Sequence, residues 1–237
     1  MLGCTPPERV LSHQASLTVT PALAQVLRYP TFLIDARGAE AARQAGLAAR
    51  QQGDFAVAIA ELETAVVLDP FHVPSYVVLG WTQHLAGQRP AAIATLNQGL
   101  ALDAEHVPAL NALGIAYLVD GQIEPAIATH TQAKTLKSDN EIAYYNLSLA
   151  YQQLPDLAAA ISHAQQATEL EPYNPHPWVA LALAHWSDQA PTAAQAAYQQ
   201  ALQLDGRYYE AYHLDHLLRA GFSHEQIRQV DEIRLSL

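Results

Sequence analysis

Lysine is almost missing from this 237-residue chain. Lys134 and Lys137 are its only two, beside ten arginines, and the formal net charge is −11. A phosphate backbone is held chiefly by Lys and Arg charge. The arginines are scattered and form no stripe, so nucleic acid is excluded as a partner class, and an anionic membrane surface is disfavoured on the same ground. Cys4 is the single cysteine, which excludes an intramolecular disulfide and permits the cytoplasm as the expected location. No run approaches the roughly 18 apolar residues of a spanning helix. The uncharged stretch from Pro172 to Ser187 is broken by Pro, Asn and His. The opening "MLGC" lacks the charged and apolar regions of a secretory signal. Leu2-Gly3-Cys4 does match the end of a bacterial lipoprotein signal. Were translation to begin upstream, Cys4 would be lipidated and the protein would be membrane-anchored.

Catalytic signatures are missing as well. There is no Gly-rich phosphate loop, no nucleophile elbow and no HExxH. Cys4 has no evident base. The carboxylate pairs Glu61/Glu63 and Glu169/Glu171 fall on an outer face near helix ends, where solvation accounts for them. The expectation is therefore a non-enzyme with no catalytic residue and no cofactor. Eleven histidines raise a metal reading: His213 and His216 lie three apart with Asp215 between and His224 beyond, and imidazole suits Zn²⁺. No second clean ligand pair exists, so no metal is expected. Asn146-Leu147-Ser148 matches a glycosylation sequon but sits mid-helix, where a structural role is expected.

What the chain does have is self-similarity. "HVPSYVVLGW" begins at His72 and "HVPALNALGI" at His106, with His, Val, Pro, Leu and Gly in matching places. At a shift of 34, one column reads Ala58, Ala92, Ala126, Ala160, Ala194. Others read Gly46, Gly80, Gly114, Ser148, Ala182; Ala65, Gly99, Ala133, Ala167, Ala201; and Ala45, Leu79, Leu113, Leu147, Leu181. The register holds from Ala39 to Tyr208 without insertion or deletion. A fixed period of this length means stacked supersecondary units. Period-two alternation is absent, whereas Ala, Leu and Gln favour helix.

Each unit divides into two helical stretches. The breaks fall at Gly53-Asp54, Gly87-Gln88, Gly121-Gln122 and Pro155-Asp156. In the fifth unit Ser187 to Pro191 must turn the chain, with Asp188 or Thr192 as candidate caps. Pro74 and Pro108 suit first turns, where a missing N–H is harmless. The small columns allow antiparallel helices to cross at roughly 8–10 Å. One helix pair cannot bury its apolar faces alone, but stacked pairs can.

This pattern resembles the tetratricopeptide repeat family over about 170 residues, as five consecutive repeats: 39–72, 73–106, 107–140, 141–174 and 175–208. The family's aromatic near the repeat start is met by Tyr76, Tyr144 and Trp178, and its late proline by Pro70 and Pro172. Ala42, Leu110, Ala104, Ser138 and Gly206 depart from the motif. The resemblance implies an all-α, right-handed α-solenoid of antiparallel helix pairs and a protein or peptide partner held on a concave surface lined by first helices. Members of this build include photosystem assembly factors and outer-membrane lipoproteins of pilus or envelope assembly.

The inward slots carry Arg43, Leu47 and Arg50 in the first repeat, then Val77, Trp81, His84 and Leu85. Asn111, Ile115, Leu118 and Val119 follow, then Tyr145, Leu149 and Gln152, then Val179, Leu183 and Trp186. The family's carboxylate clamp needs Lys, Arg and Asn here. Arg43 is one such residue, but Leu47, Val77 and Trp81 fill other places, so that specificity is not expected. The expected partner-binding residues are Val77, Trp81, His84, Leu85, Asn111, Ile115, Leu118, Tyr145, Leu149 and Trp186, forming an apolar and aromatic trough for an apolar peptide or amphipathic helix. The alternative is that several of them pack between neighbouring first helices. A competing class of function is self-association as a homo-oligomer, or a groove filled by the chain itself.

The ends lie outside the repeat. Residues 1–38 lack it, with a short helix expected near 21–28, an apolar "TFLID" packing on the first repeat, and a fold-back of Val10 to Ile34 into the groove as the sharper reading. At the other end 209–237 is read as capping helices. Tyr209 to Ala220 continues the register as an amphipathic helix, Gly221 stops it, and Ser223 caps a last helix whose Ile227, Val230 and Ile233 form an apolar stripe. The crossing argument predicts that Ala126→Leu overpacks a helix pair at a cost of ~1–3 kcal/mol, read as a lower urea midpoint at unchanged m-value.

Overall fold

The computed structural model describes residues 33–154 and 156–237. The expected N-terminal helix near 21–28, Cys4 and Pro155 lie outside the described residues, as do Thr31 and Phe32 of "TFLID" and all of the Val10 to Ile34 fold-back before Leu33, which is itself exposed. Among the described residues every regular element is helical. Ten helices form five antiparallel pairs: α1 (Ala36–Gln51) with α2 (Phe55–Leu68), α3 (Val73–Leu85) with α4 (Arg89–Leu102), α5 (Val107–Val119) with α6 (Ile123–Leu136), α7 (Glu141–Gln153) with α8 (Leu157–Leu170), and α9 (Pro175–Ser187) with α10 (Pro191–Leu204). Each second helix packs on the next first helix, and α3, α5, α7 and α9 touch in succession along one wall. This is an α-solenoid.

The small-residue crossings are reciprocal. A Cβ on Gly46 would stand 2.7 Å from Leu62, and one on Gly80 2.6 Å from Leu96. Where the first helix carries Ser148 or Ala182 instead, the second-helix column 62–96–130–164–198 reads Ala164 and Tyr198. Ala58, Ala92, Ala126, Ala160 and Ala194 are all fully buried, so the crossing is tight in every pair. The central pair puts an imidazole in this column: His130 lies against Gly114, and both its ring nitrogens are buried without a hydrogen-bond partner.

Local chemistry starts and stops the helices where expected. Asp54 and Asp156 accept from the backbone N–H of Val57 and Ala159, each at 3.1 Å, as N-caps do. Pro74 and Pro108 fall in the first turns of α3 and α5. Gly53, Gly87 and Gly121 turn between paired helices at φ near +80°. In the fifth pair the same column holds Gln189, which takes φ 56° nonetheless. Neither Asp188 nor Thr192 caps α10; its N-cap is Ala190, without a side-chain bond, so that turn relies on the left-handed Gln189.

The C-terminal stretch differs in kind from the expected helix. Gly206–Tyr209 is a 3₁₀ turn and Ala211–Ala220 a ten-residue 3₁₀ segment. Side chains three apart eclipse in a 3₁₀ helix. Leu214 and Leu217 therefore share one buried edge, while His213, His216 and Arg219 share another. Gly221 ends the segment at φ 100°. Ser223 then caps α11 (His224–Leu235) in a capping box with Gln226, and Val230 and Ile233 are fully buried.

His130 generates a prediction. Burial pushes its imidazole down to about 3, so the folded state holds it neutral. Below about pH 6.5 the unfolded chain takes up the proton that the folded chain refuses, so stability is full above that pH and falls by about 1.4 kcal/mol per unit toward pH 3. His130→Leu restores the residue found at Leu62 and Leu96 and removes two unpaired nitrogens. The expected outcome is a higher urea midpoint at pH 7 and a flatter fall in stability between pH 6.5 and 4.

Candidate functional site

The first helices build a trough on one wall of the solenoid. A cavity of about 760 Å³ lies over α3, α5 and α7, lined by Val77, Trp81, Ala112, Ile115, Ile142 and Tyr145 on its apolar side. That volume falls within the usual range for small-molecule and anchor pockets. Trp81 stands half-buried and stacks on His84, with ring centroids 4.8 Å apart. Polar groups are few. Asn111 and Asn140 donate to each other's amide oxygens at 3.1 and 2.9 Å, so the polar spot in the floor satisfies itself. Lys137, Glu141 and Arg219 stand at the border.

The far wall of this cavity is the chain's own C-terminal stretch. His216, Arg219 and Ala220 line it. Tyr145 donates its hydroxyl to the Ala220 carbonyl at 3.4 Å, and the Gln226 amide donates to the Leu149 carbonyl at 3.0 Å. Trp186 reaches Glu232 of α11 through its indole N–H at 3.3 Å. Phe222 is sealed into one cluster with Tyr145, Leu149, Val179 and Leu183. Gly221 makes the approach possible, since a Cβ there would stand 2.6 Å from the Asn146 amide oxygen. Burial pushes the Tyr145 hydroxyl up to about 12, so it stays a donor at any ordinary pH.

The ten expected binding residues thus divide. Val77, Trp81, Asn111, Ile115 and Tyr145 meet around one cavity. His84 is buried beside the backbone of Arg219, and burial lowers its pKa. Leu118 and Leu149 are buried in the wall that the C-terminal stretch covers, Leu118 lying 3.5 Å from a Cβ placed on Gly221. Trp186 packs against the same cluster, and Leu85 is half-buried at the end of α3. The inner wall is therefore part trough and part self-packed. Ile142 lies outside the expected set, and of the 3₁₀ residues the sequence reading weighs His213 and His216 only as metal candidates. Ile142 sits on α7 about one turn before the inward slot at Tyr145. The 3₁₀ residues come from outside the period altogether, although the eclipsed spacing of Leu214 and Leu217 carries their signal.

The outermost inward slots are also occupied. Arg43 bonds His72 and Ser75 at 3.3 and 3.4 Å and pairs with Glu40. Arg50 donates to Thr82 at 3.4 Å. His213 and His216 do meet, at 4.2 Å between ring centroids, but among the described residues no group of three or more His, Cys, Asp or Glu is arranged to hold a metal. No helix among them is long and apolar enough to cross a membrane.

Comparison with known proteins bears on the same architecture. Family models described as tetratricopeptide repeat match residues 21–73, 142–174 and 175–208. No curated protein matches the sequence significantly. Among solved structures, Pseudomonas aeruginosa PilF is similar at 22% identity, covering 85% of this chain and 90% of that one with a TM-score of 0.66. A thermophilic TPR protein of Thermus thermophilus is 20% identical over 84% of this chain and 100% of that one, at a TM-score of 0.64. A MamA protein is 24% identical over 73% and 94%, at 0.60. At these identities the likeness speaks for the fold.

Gly221 is the position where the self-packed wall is most exposed to a single change. Gly221→Ala meets both the left-handed backbone and the Asn146 side chain, and is expected to cost ~2 kcal/mol. The measurement is a fall in thermal midpoint, with new proteolytic cleavage concentrated between residues 206 and 237.

Proposed function

This chain belongs to the tetratricopeptide repeat family, whose members in general serve as protein–protein interaction scaffolds, and from that premise we propose that its trough takes one short segment of another protein. The occupant is an apolar or amphipathic helix with an acidic flank. The observation that carries this reading is the trough itself: an apolar floor of about 760 Å³ with Val77 and Trp81 half-buried on it. Aromatic side chains that fill such pockets dominate binding energy elsewhere.

Size and charge narrow the occupant. Three first helices spaced at 8–10 Å give a floor roughly 20 Å long, which matches about three helical turns. Two cations and one carboxylate border it, Lys137 and Arg219 against Glu141, in a chain whose formal charge is −11. That local reversal of sign favours an acidic flank on the partner and disfavours a basic one. The closed Asn111–Asn140 pair leaves the floor without an unmet polar demand, so apolar side chains enter without stranding a donor.

In this reading the protein is a non-catalytic scaffold, acts without a cofactor, and serves the assembly or maturation of a complex in the cytoplasm. The rival self-occluded reading has a specific observation on its side, because the C-terminal stretch already fills the wall beyond Tyr145. The two are compatible when that stretch sets the length of the open trough.

A library of random peptides displayed on phage, panned against the immobilised protein, tests the proposal. Selected sequences should carry large apolar residues at i, i+4 spacing beside acidic ones. They should bind Trp81→Ala and Ile142→Asp at least tenfold more weakly, about 1.4 kcal/mol, while the thermal midpoint of Trp81→Ala stays close to wild type. Equal binding to wild type and variants, or unfolding of the array by Trp81→Ala, would overturn it.

A further inference from the structure

The trough shares a partition with a second cavity of about 640 Å³, and the partition is made of imidazoles. His176 of α9 and His216 of the 3₁₀ segment line both cavities. Their rings meet edge to face at 5.4 Å, and His213 lies 4.2 Å from His216. Tyr208 packs edge-on against His213 and His216 at 5.2 and 5.5 Å. Nδ1 of His216 faces the His213 carbonyl, and Nε2 faces the Tyr208 hydroxyl at 3.1 Å. His213 Nε2 is buried without a hydrogen-bond partner.

The same segment is held at other points, with Leu214 and Leu217 in the core cluster. Above it, Tyr145 holds the Ala220 carbonyl, and His84 of α3 lies against the Arg219 backbone. We propose that the His176–His213–His216 cluster is a proton-sensitive clasp: neutral, it holds Ala211–Ala220 against α9; protonated, it lets that segment go and extends the trough toward Leu118. The proposal rests on the trough being the binding surface, and it assigns that surface a regulator.

Of the surrounding charges, one carboxylate favours a protonated ring. The loop before the segment offers Asp205, whose Oδ2 lies 3.8 Å from His213 Nε2. Arg207 already grips that carboxylate at 2.7–3.1 Å and, as the main cause, holds its pKa down to about 2. The segment itself adds Asp215 and Arg219, while Glu141 and Tyr145 of α7, and Lys137 before it, face from the trough side. Arg89 faces His84. Asp205 can pair with His213 alone, and rings 4.2 and 5.4 Å apart repel one another once more than one is charged.

Burial first, then His216 and His213, hold His176 down to about 4, and His213 is lowered by burial and by His216. For a base held below its free value, docking is favoured in full above about pH 6.5 and weakens as pH falls toward 4. Each histidine that gains its proton only on release shifts the balance tenfold per pH unit, about 30-fold at pH 5.

The test needs no partner. In the full chain carrying Trp178→Phe and Trp186→Phe, Trp81 alone reports on the segment edge through acrylamide quenching. Between pH 7.5 and 5.0 the quenching constant should rise at least twofold while far-UV helicity holds. Changing all three histidines to Gln should leave it flat, and His176→Gln alone should move the rise to lower pH. No rise, an equal rise in the triple variant, an unmoved rise in His176→Gln, or a rise that tracks loss of helicity would overturn the clasp. None of these outcomes bears on peptide capture by the docked form at pH 7.5, so the two proposals fail separately.

Discussion

The close crossing of two helices within each repeat is the contact on which everything else stands. Gly46 under Leu62, Gly80 under Leu96 and Gly114 under His130 leave no room for even one added carbon. Buried alanines at 58, 92, 126, 160 and 194 repeat the same demand from the second helix. A crossing this tight fixes how far each first helix stands from the next. That spacing decides the width of the trough, the reach of Tyr145 to Ala220, and the fit of the Asn111–Asn140 pair. Overpacking at one crossing would therefore be felt on the concave wall, even though no concave residue had changed, because close-packed interiors transmit strain.

Columns that repeat every 34 residues are legible because the physical demand repeats with them. Ala126 needs no tertiary knowledge to be placed; four equivalents say the same thing. The family and the α-solenoid followed from that redundancy. The site is legible only in half. Val77, Trp81, Asn111, Ile115 and Tyr145 sit in inward slots of successive first helices, and the period alone brings them together. Leu118 and Leu149 occupy slots of the same kind, yet they are covered by a segment about seventy to a hundred residues away along the chain. Nothing in a local period can announce a long-range contact of that sort.

The C-terminal stretch shows why. Its spacing was close enough to the repeat to read as one more α-helix, and an α-helix would have continued the stack. With His216 in the small-residue column the crossing cannot form, so the chain leaves the α register. The 3₁₀ form lines up Leu214 and Leu217 on one edge, which suits a segment laid across existing helices better than one inserted between them. A 3₁₀ run of ten residues is long for a conformation with poorer hydrogen-bond geometry. It is held from outside at both ends: Tyr145 donates to the Ala220 carbonyl at 3.4 Å, and in the turn before it Tyr198 donates to the Tyr208 carbonyl at 2.9 Å and Arg234 to the Tyr209 carbonyl at 3.2 Å.

Histidine completes the logic of a chain so poor in lysine. Where a solenoid of this kind needs a compact polar ring, this one uses imidazole: in a helix crossing at His130, beneath Trp81 at His84, and in the partition at His176, His213 and His216. A buried lysine in any of these places would stay charged at neutral pH or pay heavily to lose its proton. A buried histidine is neutral at little cost, since its free value already lies near 6.5. The consequence differs with position. At His130 the neutral ring sits in a core shared by the whole pair, so its protonation competes with folding itself. At the partition the rings join a 3₁₀ segment to α9, so in the proposed clasp the same proton acts on that one contact and not on a helix crossing.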